Sequence, residues 1–206
     1  MKCVILGGRG FLGSQLHMAL VRDGHQVRIF DRPGSTAALT IPEQEYIGGD
    51  FGNREDLVAA LAGCEVVFHL VCTTLPASSN ENPLYDVETN LVSTIRLLDV
   101  ARSSGTKKIV FASSGGTVYG VPQNVPVTED HPTDPLCSYA ISKLAIEKFL
   151  HLYSHLHGVD YTVLRIANPY GEGQSPFGKQ GAIAVFTYKA LRGEPIQIWG
   201  DGEVVR

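Results

Sequence analysis

Two side chains near the middle of the chain are suited to proton transfer. Tyr139 and Lys143 are four residues apart at the start of a long predicted helix, so both lie on one helix face. A free tyrosine has a pKa of about 10, and a nearby ammonium group lowers that pKa because it favours the phenolate. The pair therefore predicts a base for a hydroxyl proton, although the same spacing also occurs on ordinary helix surfaces.

A glycine-rich loop near the N-terminus is suited to phosphate binding. Gly7, Gly10 and Gly13 directly follow the apolar run 2–6 and open a predicted helix. Gly7 permits a tight turn, Gly10 lets the backbone approach a pyrophosphate, and Gly13 lets helix and strand pack closely. The N-terminus of the helix then directs free N–H groups at the phosphates. This strand–turn–helix context predicts a dinucleotide site.

Acidic residues after the next two strands bear on the choice of dinucleotide. Asp31 follows the run 26–30, at the distance expected of an acid that binds the adenosine ribose and repels a 2′-phosphate. This favours NAD. The adjacent Arg32 would attract that phosphate, so NADP remains an alternative. Asp50 and Phe51 follow the third strand and could reach the adenine edge, although such a position is more often a cap or turn.

Strand and helix patterns alternate along the chain. Short apolar runs predict strands at 2–6, 26–30, 46–47, 65–70, 108–112 and 161–166. Helical spacing and terminal glycines predict helices at 11–23, 56–61, 86–103, 138–157 and 181–192. A surface loop is expected at 121–135, which is rich in proline. The alternation predicts an α/β fold, a doubly wound parallel sheet of the Rossmann type, with ligands at the carboxyl ends of the strands.

The composition limits the class of protein. The 206 residues are 44% hydrophobic, which is enough for one α/β domain with a substantial core. A net charge of −4 argues against a nucleic-acid partner, and no apolar run approaches the length of a membrane span. The four cysteines form no CxxC pair and predict reduced thiols in a cytoplasmic protein. His151 and His155 lack a carboxylate pattern, so no metal site is expected.

The motifs together resemble a known family. The chain is similar to extended short-chain dehydrogenases/reductases of the NAD-dependent epimerase/dehydratase group, and especially to nucleotide-sugar epimerases. The matching segments are 7–13, 49–51, 69–70, Asn90, 113–120, 139–143, 165–171, 180–181 and 198–202. They cover nearly the whole chain in the order that the family shows.

The resemblance implies a role for each matching position. Tyr139 would be the catalytic base, and Lys143 its activator and a ribose ligand. Asn168 and Arg206 would contact the diphosphate of the substrate. The full set expected to bind NAD is Gly7, Gly10, Phe11, Leu12, Gly13, Asp31, Arg32, Asp50, Phe51, Leu70, Val71, Asn90, Ser113, Tyr139 and Lys143.

The segment 113–120 departs from the family pattern. Gly115 stands where the family usually has Ser or Thr, five residues before Gly120. A donor to the reacting oxygen must then come from Ser114, Thr117 or water, and Thr117 is the first choice because it lies on the substrate-facing loop. Gly116 and Thr117 replace the acidic residues of the dehydratase branch. Because water elimination needs a general acid, this disfavours a dehydratase.

The resemblance also implies a division of the chain. Residues 1–167 would form the NAD-binding domain, and residues 168–206 would begin a smaller substrate domain. Family members continue past Arg206, so we expect the substrate region to be incomplete and the sequence to be truncated.

The expected reaction is C4 epimerisation of a UDP-hexose through a transient 4-keto sugar, with NAD regenerated in each cycle. A 4-ketoreductase, a 4,6-dehydratase and a non-catalytic NAD-binding module are the alternatives. The resemblance further implies a homodimer that pairs the helices 86–103 and 138–157. The sequence leaves the identity of the sugar and of the nucleotide open.

Overall fold

One parallel sheet forms the centre of the fold. The computed structural model describes residues 1–35, 46–178, 181–198 and 200–202. Its strands are β1 Lys2–Leu6, β2 Gln26–Asp31, β3 Tyr46–Gly48, β4 Val66–His69, β5 Lys108–Ser114 and β6 Asp160–Ile166. They are ordered β3-β2-β1-β4-β5-β6, and each neighbouring pair is parallel. This is the strand order of a doubly wound dinucleotide-binding sheet, so the predicted fold class is confirmed.

The helices connect these strands. They are α1 Phe11–Arg22, α2 Arg54–Leu61, α3 Pro76–Ser79, α4 Pro83–Asp86, α5 Ser93–Ala101, α6 Ser138–His157 and α7 Ala182–Leu191. Helix α6 has the predicted bounds, and it ends at Gly158, whose φ of 72° is the left-handed conformation that closes many helices. The short helices α3 and α4 were not predicted from the sequence.

The sheet is buried on both faces. Val4 and Leu6 of β1 belong to a large apolar cluster that includes Leu97 of α5 and Ile146 of α6. The alternate residues of β1, Cys3 and Ile5, belong to a second cluster against which Leu16 and Leu20 of α1 pack. Burial on both faces explains why the strands read as continuous apolar runs. This packing holds α1 and α6 against the sheet. The first residues of both helices lie near the carboxyl ends of the strands.

The region between α4 and α5 is not the single helix predicted for 86–103. A π-helical turn, Val87–Val92, separates α4 from α5. The Ser93 hydroxyl donates to the Glu88 carbonyl at 3.1 Å, and the Thr94 hydroxyl donates to the Asn90 carbonyl at 2.6 Å. Hydroxyls that bond the backbone in this way compete with the regular helical pattern and favour a wide turn. Wide turns of this kind often occur at functional sites.

The chain divides into two compact units, Met1–Ala167 and Asn168–Arg206. The first unit contains the whole sheet and helices α1 to α6, and the second contains α7. In the described part of the chain, no helix has the length and apolar character needed to cross a membrane.

Candidate active site

An open cleft of about 600 Å³ lies where the first strands of the sheet end. Gly7 follows β1, Asp31 ends β2 and Leu70 follows β4, so the cleft is at the carboxyl edge of the sheet. It brings together a large part of the predicted cofactor set, namely Gly7, Gly10, Asp31, Arg32, Asp50, Phe51, Leu70 and Val71. The lining also includes Thr73, Glu88, Thr89 and Arg96, which the sequence analysis did not single out.

The glycine loop has room only for backbone at two positions. Gly7 has a φ of +83°, and a Cβ there would lie 3.1 Å from the Val71 nitrogen. A Cβ on Gly13 would lie 2.4 Å from the Gly7 carbonyl oxygen. Gly10 precedes α1 without a side-chain cap, so the first turn, which begins with Phe11 and Leu12, keeps N–H groups for an anion. The loop therefore fits a dinucleotide pyrophosphate.

The acidic residues beyond this loop are held by backbone donors. The Asp31 carboxylate accepts hydrogen bonds from the N–H groups of Arg9 at 3.0 Å and of Arg32 at 2.8 Å. Asp50 accepts a hydrogen bond from the Gly52 N–H at 2.8 Å and is otherwise exposed in the cleft. Both carboxylates keep lone pairs that can accept hydrogen bonds from the hydroxyl and amino groups of an adenosine.

The structure brings Tyr139 and Lys143 together at the start of α6. Lys143 is 5% exposed, and its Nζ lies 5.6 Å from the centroid of the Tyr139 ring. Nζ donates a hydrogen bond to the Ala112 carbonyl at 2.8 Å and lies 4.7 Å from the centroid of the Phe111 ring. The ammonium group is therefore anchored to β5 beside the phenol.

The predicted lowering of the Tyr139 pKa is wrong for this structure. Burial raises the pKa of Tyr139 to about 12, and the acidic groups Cys72, Cys137 and Asp86 act in the same direction, while the interaction with the Ser114 side chain opposes them. Burial also lowers the pKa of Lys143. The largest cause is the cost of removing the phenolate from water, so a base at Tyr139 needs further positive charge in the cleft.

The hydroxyl groups after β5 have different partners from those expected. The Thr117 hydroxyl donates to Ser114 Oγ at 2.8 Å, and Ser114 in turn interacts with the Tyr139 phenol. Ser114, rather than the preferred Thr117, is therefore the hydroxyl next to the candidate base. The Ser113 hydroxyl is buried and donates to Glu147 Oε1 at 2.5 Å. Glu147 thus uses the hydroxyl proton of Ser113, and the expected contact of Ser113 with the cofactor stays a prediction.

The departure at Gly115 has a steric cause. The Gly115 N–H donates to the Ile166 carbonyl at 2.8 Å, which draws the loop against β6. A Cβ on Gly115 would lie 2.6 Å from the Arg165 carbonyl oxygen. The serine or threonine of the family pattern would therefore clash with the backbone of this chain.

The remaining predicted positions lie away from the cleft lining. Asn90 is buried, and its Oδ1 accepts a hydrogen bond at 3.0 Å from the N–H of Thr73, a residue of the lining. Asn90 thus supports the cleft wall from behind. Asn168 is exposed and is the first residue of the second unit, and Arg206 lies outside the described residues. The contacts expected of these two residues with the substrate stay predictions.

The start of α6 is held by side chains that the sequence analysis missed. The Tyr139 N–H donates to Ser79 Oγ at 3.0 Å, and the Ser138 N–H donates to Asn80 Oδ1 at 3.0 Å. Helix N-termini need such acceptors, and Cys137, which precedes the helix, supplies none. The sequence shows only that α6 lacks a capping residue of its own. It cannot identify Ser79 and Asn80 as the acceptors, because they lie 60 and 58 residues away along the chain.

Comparison with known proteins identifies the family. Residues 3–206 match the model of the NAD dependent epimerase/dehydratase family, and the chain belongs to that family. It is 36% identical over 214 residues to a UDP-glucose 4-epimerase of Mycolicibacterium smegmatis, a match that covers 100% of this chain and 68% of the relative. It is also 34% identical over 212 residues to a dTDP-4-dehydro-6-deoxyglucose reductase of Escherichia coli, covering 98% of this chain and 66% of the relative.

Solved structures give the same result. A UDP-glucose 4-epimerase of Thermotoga maritima with UDP-glucose superposes with a TM-score of 0.90 at 34% identity, covering 98% of this chain and 67% of that one. A Thermus thermophilus UDP-glucose 4-epimerase in complex with NAD gives a TM-score of 0.87 at 32% identity, covering 95% and 64%. The chain spans about two thirds of the length of these relatives. The predicted family and its NAD cofactor are confirmed.

Substitutions in the glycine loop should separate folding from cofactor binding. Gly13→Ala forces a Cβ against the Gly7 carbonyl, so we expect the free energy of unfolding to fall by about 1–3 kcal/mol. Gly10→Ala meets only an ordinary contact at 3.4 Å, so stability should be kept, while NAD affinity should fall by about tenfold or more because the new methyl group faces the phosphates. Urea unfolding and calorimetric NAD titration measure the two effects. Unchanged NAD affinity in Gly10→Ala would contradict the assigned phosphate site.

Proposed function

We propose that this chain carries the cofactor site and the catalytic residues of an NAD-dependent nucleotide-sugar 4-epimerase that acts on a UDP-hexose. The observation that carries the proposal is the placement of Tyr139 and buried Lys143 in the same unit as the glycine-loop cleft. The match to two UDP-glucose 4-epimerase structures supports the substrate class.

The residues of this chain would perform the proton transfers at C4 of the sugar. Tyr139 takes the proton of the C4 hydroxyl and later returns it to the keto oxygen. Bound NAD supplies a reversible hydride acceptor and, in its oxidised form, a positive charge that counters the raised Tyr139 pKa. Lys143, fixed at the Ala112 carbonyl, would add a second positive charge near the phenol. Ser114, which interacts with the phenol, would help to hold the reacting oxygen.

The two hydroxyls of the loop should differ in importance. Ser114 interacts with Tyr139, whereas Thr117 reaches that phenol only through Ser114. We therefore expect Ser114→Ala to lower kcat by about 10²-fold, as loss of one positioned donor does, and Thr117→Val to lower kcat much less. Steady-state kinetics of the two variants test the order. A larger loss in Thr117→Val would restore Thr117 as the principal donor.

A 4-ketoreductase is the second candidate function. It is favoured by the reductase relative from E. coli, which aligns with nearly the whole chain. A reductase would use the same Tyr139 and Lys143 but would consume reduced cofactor in proportion to product. A non-catalytic module would bind NAD and turn over no nucleotide sugar. A dehydratase is disfavoured because Gly116 and Thr117 offer no general acid.

The two units would bind different ligands. In our proposal the unit Met1–Ala167 binds NAD, and the unit Asn168–Arg206 begins the substrate-binding region. Asn168 and Arg206 would contact the diphosphate of the nucleotide sugar, as the family resemblance implies. We also propose the cytoplasm as the compartment, on the basis of four unpaired cysteines.

Exposed apolar side chains on α6 support the proposed homodimer. Ile141 is 54% exposed, Leu152 is 42% exposed and Leu156 is 59% exposed. Apolar side chains of this size at helical spacing are suited to packing against a second copy of the same helix. The molar mass in solution tests the dimer.

Product analysis tests the proposed reaction. The protein that carries this chain should convert UDP-glucose into UDP-galactose with NAD present and without added reductant, as followed by proton NMR. Conversion that requires reduced cofactor would favour the reductase. Binding of NAD without conversion of any UDP-, GDP-, dTDP- or ADP-sugar would overturn the proposal.

A further inference from the structure

A fully buried carboxylate lies behind the candidate active site. Asp86, the last residue of α4, has no exposed surface. It accepts hydrogen bonds from Asn90 Nδ2 at 3.1 Å, Ser138 Oγ at 2.9 Å, Ser142 Oγ at 2.7 Å and from the Thr74 hydroxyl. Among the described residues, no lysine, arginine or histidine forms an ion pair with it.

The donors to Asp86 come from both sides of the site. Thr74 and Asn90 lie behind the wall of the cleft: Thr74 follows the lining residue Thr73, and Asn90 accepts a hydrogen bond from the Thr73 N–H. Ser138 and Ser142 directly precede Tyr139 and Lys143 in α6. A single carboxylate therefore connects the cofactor cleft to the helix turn that carries the candidate base and its ammonium partner.

The charge of Asp86 has a use that a neutral side chain would not supply. A buried carboxylate is costly to remove from water, and well-packed apolar residues often replace buried charges without loss of stability. A junction between two helices alone would not require it. Lys143 is itself buried, and the charge of Asp86 opposes the lowering of the Lys143 pKa by burial.

We propose that Asp86 is a positioning residue that sets the place of the α6 turn bearing Tyr139 and Lys143 and keeps a negative charge behind that turn. The role rests on the function proposed above, because it acts through those two residues. In this role Asp86 acts through Tyr139 and Lys143 and does not contact the cofactor or the sugar.

The groups that face the pair determine the pH dependence. They are Cys72 after β4, Cys137 before α6, His69 on β4, and Asp86 itself. Burial, with Lys143 as a second cause, lowers the pKa of His69 to about 3, so His69 stays neutral during the titration. The negative charge of Asp86 raises the pKa of Tyr139 and that of Lys143. Removal of the charge should therefore lower both pKa values.

Asp86→Asn provides the first test, with Asp99→Asn as the matched control. The amide keeps the shape of the side chain: its Nδ2 can donate to the Ser138 and Ser142 hydroxyls, which rotate to accept, and its Oδ1 can still accept from Thr74 and Asn90. We expect kcat to fall by about 10–100-fold, because a small misplacement of reacting groups has an effect of this size, and we expect KM to change less. The rising limb of the pH–rate profile should move to lower pH. Asp99 lies on α5, bonds Tyr153, and is expected to change neither property when replaced.

A titration without cofactor gives a readout that does not need turnover. Carbon-13 at Cζ of tyrosine reports the phenolate, and the Tyr139 signal is assigned by comparison with Tyr139→Phe. In Asp86→Asn the Tyr139 signal should titrate at lower pH than in the wild type. Unchanged titration and an unchanged pH–rate limb would overturn the proposed role, even if kcat falls. An inactive wild type would instead overturn the proposed function and leave the titration as the test of Asp86.

Ser142→Ala covers the case in which Asp86→Asn does not fold. This variant removes one of the two hydroxyl links from Asp86 to α6 and keeps the carboxylate. We expect a kcat reduced by about tenfold with the pH limb near its wild-type position, because the place of the turn changes and the charge does not. A wild-type kcat in Ser142→Ala would overturn the positioning role.

Discussion

Tyr139→Phe is expected to lower turnover by roughly 10²–10⁴-fold, the usual contribution of a positioned acid–base group. The substitution removes the one oxygen that can take and return the C4 proton and keeps the ring that packs beside Lys143. Cofactor binding should be retained, because the substitution removes only the hydroxyl and leaves the residues of the cleft lining unchanged. Steady-state kinetics and calorimetric NAD titration on the same preparation measure the two quantities.

Tyr153→Phe is the matched control for this substitution. Tyr153 lies on the same helix, and its hydroxyl donates to Asp99 at 3.1 Å, away from the cleft residues. The control should keep kcat within about twofold of the wild type, since no reacting proton passes through that hydroxyl. Equal turnover in Tyr139→Phe and in the wild type would remove Tyr139 from the mechanism.

Glu147→Ala is expected to cause the largest loss of stability, about 3–5 kcal/mol of the free energy of unfolding. The Glu147 side chain is 8% exposed and pairs with Arg165 at 2.7 Å. It also accepts the Ser113 hydroxyl, and Arg165 Nη1 donates to the Tyr119 hydroxyl at 3.1 Å. Removal of the carboxylate leaves a largely buried guanidinium without its anion and frees the segment 113–120 that carries Ser114.

Glu65→Ala is the control for an exposed ion pair. Glu65 bonds Lys107 at the same 2.7 Å, but 42% of the Glu65 side chain and 74% of the Lys107 side chain are exposed. Its loss should lower stability far less than the loss of Glu147, because water and salt screen the pair. Urea unfolding of both variants gives the comparison. Equal losses in the two variants would show that Glu147 and Arg165 do not support the site loop.

The features that the sequence predicted are those in which neighbouring residues determine the structure. The glycine loop, the long helix α6 and the parallel sheet follow from local spacing and from the alternation of strands with helices. The steric demand at Gly13 arises from Gly7, only six residues away, so the motif contains its own explanation. Asp31 was recognisable for the same reason, since its distance from the glycines is part of the fingerprint.

The features that the sequence did not predict depend on distant contacts. The direction of the Tyr139 pKa follows from burial, which the spacing of Tyr139 and Lys143 does not reveal. The acceptors Ser79 and Asn80 lie far from α6 along the chain. The sequence predicted Asp86 only as the first residue of a helix and gave no sign of its bonds to α6. The π-helical turn arises where Ser93 and Thr94 bond the backbone, against a periodic apolar pattern that predicted one regular helix.

Epimerisation of UDP-glucose in D₂O tests the central claim most directly. If Tyr139 transfers only the hydroxyl proton and the hydride at C4 returns from bound NAD, UDP-galactose should form without deuterium at C4 and without added reductant. Mass spectrometry and NMR of the product report both points. Deuterium at C4, or product that appears only as reduced cofactor is consumed, would contradict a recycled NAD beside the Tyr139–Lys143 pair.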